Sequence, residues 1–255
     1  MHTKENSCCC SFEDYKMTTE WLLNQTNHRP KVAVICGSAL GLLADGATNK
    51  QTFRYQDIPN FPVSTVPGHE GCLVFGTIED TSCVFMKGHF HLCEGYSLCQ
   101  VTFPVRIFKL MGVECLLVTN ASGGICPDFK VGDIMIIKDH INLPGFAGQH
   151  PLCGPNDERS SGPNFETIAE ARMLLTLGCD SVGMSMVPEV TVAKHCGLRV
   201  LGLTLITNKV SLNYSREEKV NHDEVLEICK MRAELLQKIV TTLIGRCQQQ
   251  NINTH

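Results

Sequence analysis

The sequence predicts an α/β fold in which helices cover both faces of one β-sheet. Short apolar runs typical of buried strands alternate with amphipathic stretches typical of helices for most of the chain. The 255 residues are 43% hydrophobic and 19% charged, an ordinary globular composition that is long enough for one large core. No repeat or interdomain linker interrupts the pattern. We therefore expect one domain over residues 12–246, with flexible tails at 1–11 and 247–255.

The first part of the chain predicts a helix, a strand and a hairpin. Apolar residues near helical spacing predict a helix over 12–27, which a proline follows. The β-branched run KVAVICGS at 31–38 ends at a glycine turn and predicts a buried strand. CLVFGTI at 72–78 and CVFMKG at 83–88 predict strands that pair around the turn at 79–82.

The middle of the chain continues the alternation. Residues 97–112 predict a helix in which Pro104 either sits in the first turn or bends it. CLLVTN at 115–120 and DIMIIKDHIN at 133–142 predict two further strands. The stretch 143–163 is rich in Gly, Pro and Ser, which predicts loops.

The last part predicts two helices around one strand. NFETIAEARMLLTLG at 164–178 is amphipathic and ends at glycine, which is typical of a helix. VLGLTLITN at 200–208 predicts a strand, and the region 218–246 predicts a long C-terminal helix. The elements of this last part therefore extend the same α/β pattern.

Three predicted strands end in turns that suit an anion. These turns are CGSALG (36–41), NASGG (120–124) and TNKV (207–210). Loops at the carboxyl ends of strands gather ligands in α/β sheets, and glycine lets backbone N–H groups approach an anion. One such turn alone is more simply a tight strand-to-helix connection. GSALG lacks the glycine spacing of a dinucleotide fingerprint, and no GxxxxGK[ST] occurs, so a nicotinamide oxidoreductase or ATP enzyme loses its main support.

Charge and cysteine content narrow the classes of function. A formal charge of −4 provides no basic field, so we expect no nucleic-acid partner. No apolar run suits a signal peptide or a membrane span, so we expect no membrane partner and a cytoplasmic protein. The 15 cysteines are odd in number and many lie in apolar runs, which favours reduced thiols. Because no CxxC pair occurs, we expect no metal site.

Nine blocks of the sequence resemble the trimeric purine nucleoside phosphorylases. They occur in the family's order and cover nearly all of residues 12–240. The blocks are CGSALG (36–41), IPNFPVSTVPGH (58–69), FHLCEGY (90–96), VTNASGG (118–124), VGDIMIIKDHINLPG (131–145), GPNDER (154–159), FETIAE (165–170), VGMSMVPEV (182–190) and LITNKV (205–210). The resemblance implies a single-domain nucleoside phosphorylase fold, a central mixed β-sheet flanked by helices, and assembly as a homotrimer.

The resemblance also implies a pentosyltransferase of nucleoside metabolism and purine salvage. In this family phosphate attacks the anomeric carbon of a purine nucleoside such as inosine or guanosine, which yields free base and ribose 1-phosphate. The transition state is oxocarbenium-like, as in glycoside cleavage. Inorganic phosphate is a co-substrate, and no cofactor is implied. The protein needs an anion cradle, a ribose clamp and stabilisation of charge on the purine.

For phosphate, the resemblance assigns hydroxyl, backbone amide and imidazole donors, which suit a doubly charged anion. The assigned residues are Ser38, His69, His89, His91, Ala121 through its backbone N–H, and Ser185. Taken alone, the serines predict turn caps and the histidines predict hydrogen-bonded, partly buried side chains. Their assignment therefore rests on the matched blocks.

For the purine, the resemblance assigns Glu166 and Asn208, with Phe165 packing on the ring. A carboxylate can accept hydrogen bonds from the ring N–H and the exocyclic amine of guanine. An asparagine can donate to the imidazole-ring nitrogen that gains charge as the bond breaks. Asn rather than Asp at this position implies 6-oxopurines. With His91, Glu166 and Asn208 are the predicted catalytic residues.

For the ribose, the resemblance places Met184 against the sugar and His222 on the 5′-hydroxyl. A methionine near an apolar stretch is more often a core residue, and NHDEV around His222 also suits a helix N-cap region. Cys93 stands where the family has a tyrosine that packs on the ribose. Cysteine is smaller and a weaker donor, so it would leave a gap.

Two further departures concern phosphate and the middle of the chain. His89 stands where the family has a phosphate-binding arginine, and losing that charge-assisted pair costs about 1.5–3 kcal/mol. Between GPNDERSS (154–161) and GPNFETIAE (162–170) the family has a long extra stretch that includes a helix and a core strand. Losing that strand would expose unpaired edges or force re-pairing. The alternative to an active phosphorylase is therefore a weakly active or non-catalytic purine-binding relative that assembles with a full-length subunit.

Overall fold

A mixed sheet lies at the centre of the fold. The computed structural model describes residues 10–37, 40–64, 69–91, 94–143, 166–214 and 222–252. The strands are β1 (Val32–Cys36), β2 (Thr48–Arg54), β3 (Cys72–Ile78), β4 (Thr81–Lys87), β5 (Cys115–Gly124), β6 (Ile134–Ile137), β7 (Ser181–Val182) and β8 (Arg199–Lys209). The α-helices are α1 (Phe12–Gln25), α2 (Leu98–Val101), α3 (Phe103–Leu110), α4 (Ile168–Thr176), α5 (Val187–His195) and α6 (His222–Ile252). Two 3-10 helices cover Gly41–Gly46 and Tyr55–Asp57.

The strand order within the described residues is β2-β3-β4-β1-β5-β8-β6, and β7 pairs with β5. The four central strands β4, β1, β5 and β8 run parallel, whereas β2, β3, β6 and β7 join by antiparallel pairing. The α/β class and the mixed sheet flanked by helices are thereby confirmed. Because the central strands are parallel, their carboxyl ends all lie at one edge of the sheet.

Two apolar cores cover the two faces of the sheet. On one face α1, α3 and α5 bury side chains such as Leu22, Ile107 and Ala193. On the other face α6 and the first 3-10 helix bury Leu236 and Leu43. Every residue of β1 is buried, since successive side chains of VAVIC enter the two cores alternately. This double burial explains why the strand is a continuous apolar run rather than an alternating one.

The predicted hairpin is confirmed. β3 and β4 pair antiparallel around Glu79 and Asp80, whose φ angles of 44° and 65° place both in the left-handed region. Two residues with positive φ match the twist of the flanking strands. The predicted helix over 97–112 divides into α2 and α3 at Thr102, and Pro104 lies in the first turn of α3.

Several predicted bounds differ from the structure. The strand predicted over 133–142 ends at Ile137, because the polar residues that follow are exposed and extend no ladder. β5 continues to Gly124, and the predicted last helix runs from His222 to Ile252. The helix predicted over 164–178 occupies Ile168–Thr176, and most of the predicted loop region lies outside the described residues.

Nine cysteines within the described part of the chain are free thiols: Cys36, Cys72, Cys83, Cys115, Cys126, Cys179, Cys196, Cys229 and Cys247. Cys115 at the start of β5 and Cys247 near the end of α6 lie close together, with 3.9 Å between their sulfur atoms. None of the helices in the described ranges combines the length and apolarity needed to cross a bilayer.

Candidate active site

Several of the predicted site residues lie at or just beyond the carboxyl edge of the parallel strands. Lys87 at the end of β4 lies opposite Cys36 at the end of β1. On the other side of β1, Ala121 in β5 lies opposite Leu205 in β8. Open α/β sheets bind ligands at this edge, so the fold supplies a site here before any side chain is considered.

The turn after β1 lies directly against β5. A Cβ atom on Gly37 would lie 2.6 Å from the backbone oxygen of Thr119 and 2.8 Å from the Cα of Asn120. No larger residue fits there without moving backbone. The Thr119 hydroxyl donates to the Ile35 carbonyl oxygen at 3.0 Å and ties the two strands together at this point. The glycine turn therefore lies next to the segment that contains Ala121.

Three histidines form a cluster at the same edge. The ring centroid of His69 lies 5.5 Å from the ring centroid of His89 and 5.5 Å from that of His91. The ring centroids of His89 and His91 are 4.4 Å apart. The backbone N–H of His91 donates to Glu94 Oε2 at 2.8 Å, and His91 Nδ1 lies 3.1 Å from the same oxygen. Glu94 therefore fixes the orientation of the His91 ring.

The electrostatics of the cluster disfavour extra positive charge. Burial, with the nearby His89 and His91 rings, lowers the pKa of His69 to about 3. Burial and the His91 ring also hold the pKa of His89 well below its usual range. His69 Nδ1 lies 3.2 Å from the backbone oxygen of His89, which can only accept, so Nδ1 is the protonated nitrogen of a neutral ring.

His89 is paired with a buried acid. Its Nδ1 lies 3.4 Å from Glu189 Oε1 on α5, and each side chain is 2% exposed. Neither that nitrogen nor either carboxylate oxygen makes a hydrogen bond within the described structure. Burial raises the pKa of Glu189 to about 7. Both partners are therefore biased towards their neutral forms.

Asn208 lies on the same face of the sheet as Ala121. The β5–β8 register shifts between Ser122, opposite Ile206, and Gly123, opposite Asn208. The extra residue is Thr207, whose hydroxyl donates to Asn208 Oδ1 at 3.2 Å. Because paired residues share a face, this bulge gives Asn208 the face of Gly123 and Ala121 instead of that of Ile206.

Met184 and Ser185 follow the short strand β7. Val182 in β7 pairs with Gly123, so the segment leaves the sheet beside the Asn208 register position. Ser185 is half-buried, and Met184 is 48% exposed, which is not the burial of a core methionine. Exposure of a large apolar side chain beside a candidate site suits contact with a ligand.

Glu166 lies immediately before α4. Burial is the main cause that raises the pKa of its carboxyl group. The next residue, Thr167, caps the helix: its backbone N–H donates to Glu170 Oε2 at 2.7 Å, and the Glu170 N–H donates to its hydroxyl at 3.3 Å. Arg172 Nε donates to the Leu212 carbonyl oxygen at 2.8 Å, which joins α4 to the segment after β8.

Some predicted residues lie outside the described structure. Ser38, Cys93 and Phe165 fall in the undescribed ranges. His222 begins α6, but its side chain is not among those described. In the part of the chain that the structure covers, no group of three His, Cys, Asp or Glu side chains is arranged to hold a metal ion.

A cavity of about 80 Å³ opens beside the histidine cluster. It is lined by the turn after β1, by His69 and by the end of β4 with Lys87 and Gly88. Lys87 Nζ lies 2.6 Å from Glu70 Oε1. The cavity exceeds the roughly 30 Å³ that one water occupies in the liquid.

Comparison with known proteins identifies the family. The Phosphorylase superfamily model matches residues 31–161 and 159–245. The purine nucleoside phosphorylase of Bos taurus is 52% identical over an alignment that covers 92% of this chain and 95% of the bovine one. The chain belongs to the purine nucleoside phosphorylase family. Purine nucleoside phosphorylase 1 of Bacillus subtilis (strain 168) is 44% identical, with 85% and 92% covered.

Solved structures of the family share the fold. The Schistosoma mansoni purine nucleoside phosphorylase in complex with inosine has a TM-score of 0.84 and 38% identity, and the match covers 93% of this chain and 97% of that chain. A complex of the Schistosoma mansoni enzyme with adenosine gives a TM-score of 0.84 and 39% identity. The family and fold expected from the nine sequence blocks are both confirmed.

Lys87, Glu70 and Glu189 are site-neighbouring residues that the sequence analysis missed. From the sequence, Lys87 was only the last residue of a predicted strand, and Glu189 was only part of a block that resembles the family. The sequence did contain one signal for Lys87. It is a lysine at the carboxyl end of the otherwise apolar strand CVFMK, and ligand-binding loops begin at such strand ends.

Proposed function

We propose that this chain catalyses the phosphorolysis of inosine- and guanosine-type nucleosides to free purine and ribose 1-phosphate. One observation carries the proposal: the bulge at Thr207 gives Asn208 the same sheet face as Ala121. The residue expected to bind the purine and the backbone amide expected to bind phosphate therefore lie on adjacent strands of one ladder. A reaction that joins phosphate to the carbon released by the base needs this proximity.

The reaction divides into three tasks for the chain's own residues. His91, oriented by Glu94, donates an N–H group to phosphate together with the Ala121 backbone, and the neutral ring of His69 accepts through Nε2 from the P–OH group of hydrogen phosphate. Phosphate oxygen then forms a bond to the anomeric carbon as the glycosidic bond breaks, and the bonding electrons pass to the purine. Asn208 donates to the purine nitrogen that gains this charge.

Glu166 and the sugar contacts complete the assignment. The Glu166 carboxyl, partly buried before the Thr167 cap of α4, accepts hydrogen bonds from a 6-oxopurine. Met184 lies against the ribose, in keeping with its exposure beside the site. Ser38, Phe165, Ser185, Cys93 and His222 retain the roles that the family resemblance implies.

The test is release of hypoxanthine from inosine by the purified chain, with and without phosphate. We expect phosphate-dependent release, and Asn208→Leu should reduce kcat/KM by on the order of a hundred- to a thousandfold. Asn27→Leu, in the exposed connection before β1, is the matched control and should behave as the wild type. A folded wild-type chain that releases no hypoxanthine would rule the proposal out.

A second candidate is a weakly active or non-catalytic relative that binds purines and joins full-length subunits. Burial of His89 against Glu189 favours it, since His89 stands at the family's arginine position. The alignment with the bovine enzyme runs over 275 residues, more than this chain has, and the family match breaks at residues 159–161. Both facts fit a stretch missing from the middle. Thermal stabilisation by guanine without turnover would favour this candidate.

Assembly and compartment follow from the same proposal. We infer a homotrimer that takes up purine nucleosides, purine bases and phosphate, and a cytosolic site of action where free thiols stay reduced. Light scattering of the purified chain should give three times the monomer mass of 28.2 kDa. A monomer would favour the second candidate.

A further inference from the structure

Lys87 lies beside the turn that follows β1. It is the last residue of β4, and it pairs with Cys36, the last residue of β1. Its side chain is only 10% exposed. A Cβ atom on Gly41 would lie 2.8 Å from Lys87 Cε and 3.6 Å from Nζ. The absence of a side chain at Gly41 is therefore what leaves room for the lysine at this edge.

The cavity at this edge has one permanent cation among its described lining residues. Its walls include Gly37, Gly41 and His69 as well as Lys87. The low pKa of His69 keeps that ring neutral. Burial lowers the pKa of Lys87, but the hydrogen bond and the charge of Glu70 more than offset it, so the net shift is upward. The ammonium group therefore stays protonated beside the glycine turn.

Glu70, the ion-pair partner of Lys87, is much more exposed than the lysine. Lys87 Nζ lies 2.6 Å from Glu70 Oε1, yet the Glu70 side chain is 58% exposed. A carboxylate that is so exposed can move into water at low cost, whereas the buried ammonium group cannot. An anion that enters the cavity can therefore replace Glu70 and keep the lysine paired.

His89 is badly placed to bind phosphate as a cation. It is 1% exposed, its Nδ1 faces the Glu189 carboxyl at 3.4 Å, and it is not among the residues that line the cavity. A phosphate site without a cation would forgo the strongest class of hydrogen bond. Lys87 lies two residues earlier in the chain, at the same edge of the sheet.

We propose that Lys87 is the cation of the phosphate site in this chain, in place of the arginine expected at position 89. Glu70 forms an ion pair with the Lys87 ammonium group until phosphate displaces the Glu70 carboxylate. The inference rests on the proposed phosphorolysis, because phosphate is the anion that this reaction requires. It adds two residues to the site: Lys87 as a phosphate ligand and Glu70 as a competing intramolecular carboxylate.

Kinetics with phosphate as the varied substrate test both roles. Lys87→Met keeps the length and removes the charge, so the KM for phosphate should rise on the order of ten- to a hundredfold. Lys87→Arg should restore most of the loss. Glu70→Gln removes the competing charge and should lower the KM for phosphate roughly two- to fivefold. An unchanged phosphate KM in Lys87→Met, with turnover intact, would overturn the inference and leave the proposed function standing.

The matched control is Lys31→Met at the opposite end of the sheet. Lys31 precedes β1 and pairs with Glu114 at 2.7 Å, and the two side chains are 57% and 43% exposed. It resembles the Lys87 pair in chemistry but not in position, so its phosphate KM should equal that of the wild type. Far-ultraviolet circular dichroism of every variant separates loss of fold from loss of phosphate binding.

Direct binding of inorganic phosphate separates this inference from the proposed function. Phosphate should raise the Tm of the wild type and of Lys31→Met, but not that of Lys87→Met. Stabilisation with this pattern in a chain that releases no hypoxanthine would uphold the Lys87 assignment and sink the phosphorolysis. Equal stabilisation of wild type and Lys87→Met would sink the assignment alone.

Discussion

The buried contact between His89 and Glu189 is the most unusual feature at the scale of single residues. Both side chains are 2% exposed, and neither His89 Nδ1 nor either Glu189 carboxylate oxygen makes a hydrogen bond within the described structure. Burial raises the pKa of the acid and lowers that of the base, so each resists its charged form. A fold that keeps such a pair depends on pH more than its surface charges suggest.

Replacement of Glu189 by Gln should remove part of that pH dependence. The pKa of Glu189 is about 7 in the folded chain, against an ordinary value of 4.5, so the folded state binds this proton more tightly than the unfolded state. Between those values the free energy of unfolding falls as pH rises. We therefore expect the Tm of Glu189→Gln, relative to wild type, to increase from about pH 5 to about pH 8.

Glu170→Gln provides a control of opposite sign. Hydrogen bonds from Thr167 lower the pKa of Glu170, so its contribution to stability is present at neutral pH and is lost in acid. The Tm of this variant, relative to wild type, should fall as pH rises through the acid range. A Tm difference for Glu189→Gln that stays constant across pH would contradict the buried-acid interpretation.

At the residue scale, the candidate hydrogen-bond donors of the site could be predicted from the sequence, but the residues that surround them in the fold could not. His91 and Asn208 sit in distinctive blocks, so their chemistry could be inferred from type and context. Lys87 gained meaning only when β4 paired with β1 and placed it against Gly41. Pairing of distant strands is a tertiary fact, and no local pattern around Lys87 encodes it.

At the scale of elements, the cap of α4 lies next to Glu166, the residue proposed to bind the purine. Thr167→Ala removes the hydroxyl that accepts from the Glu170 N–H, which should lower the free energy of unfolding by about 1 kcal/mol. Because Glu166 directly precedes this cap, the KM for inosine should rise while the KM for phosphate stays close to that of wild type. Urea unfolding and initial-rate kinetics measure the two effects.

Thr176→Ala tests whether the effect belongs to the cap. Thr176 ends the same helix and donates only to the Arg172 carbonyl oxygen at 2.9 Å among its described contacts. Thr176→Ala should change neither the KM for inosine nor the KM for phosphate. If both threonine variants raise the KM for inosine equally, α4 as a whole and not its cap positions Glu166.

Elements with a clear apolar period were predicted, and those without one were missed. β2 has the sequence TNKQTFR, and nearly all of it is exposed, so it lacks the alternation that marks a strand. β2 forms only because β3 offers an edge to pair with. α5, with the sequence VPEVTVAKH, is rich in β-branched residues, and packing against α3 and the sheet overrides that local preference.

At the scale of the whole molecule, α6 covers one face of the sheet and contributes buried side chains to that core. Leu236 on this helix is fully buried among side chains of β1, β3 and β5. Leu236→Ala should therefore lower the free energy of unfolding by about 2–5 kcal/mol through lost burial and a residual cavity. Chemical denaturation measures the change.

Leu235 is the matched control, one residue away on the same helix. It is 43% exposed, so Leu235→Ala should change the free energy of unfolding by no more than about 0.5 kcal/mol. Similar losses in both variants would mean that α6 does not pack on the sheet as described.

The architecture as a whole was predictable because parallel strands buried on both faces leave a distinctive record. Runs such as VAVIC in β1 and CLLVT in β5 are continuously apolar, and helical patterns separate them. The order of the strands was not predictable, since β4 and β5 both flank β1 although the segment 88–114 separates them in sequence. Contacts over such separations follow from the packing of the complete sheet.

The bulge at Thr207 decides on which face of the sheet Asn208 lies. In a strand, a side chain's face depends on whether its position is odd or even, and the extra residue reverses that parity after Ile206. Regular alternation over the same residues would instead place Asn208 on the face of the fully buried Ile206. The proposed purine contact therefore depends on this irregular pairing as well as on the identity of residue 208, and a change that removed the register shift without shortening the strand would abolish it.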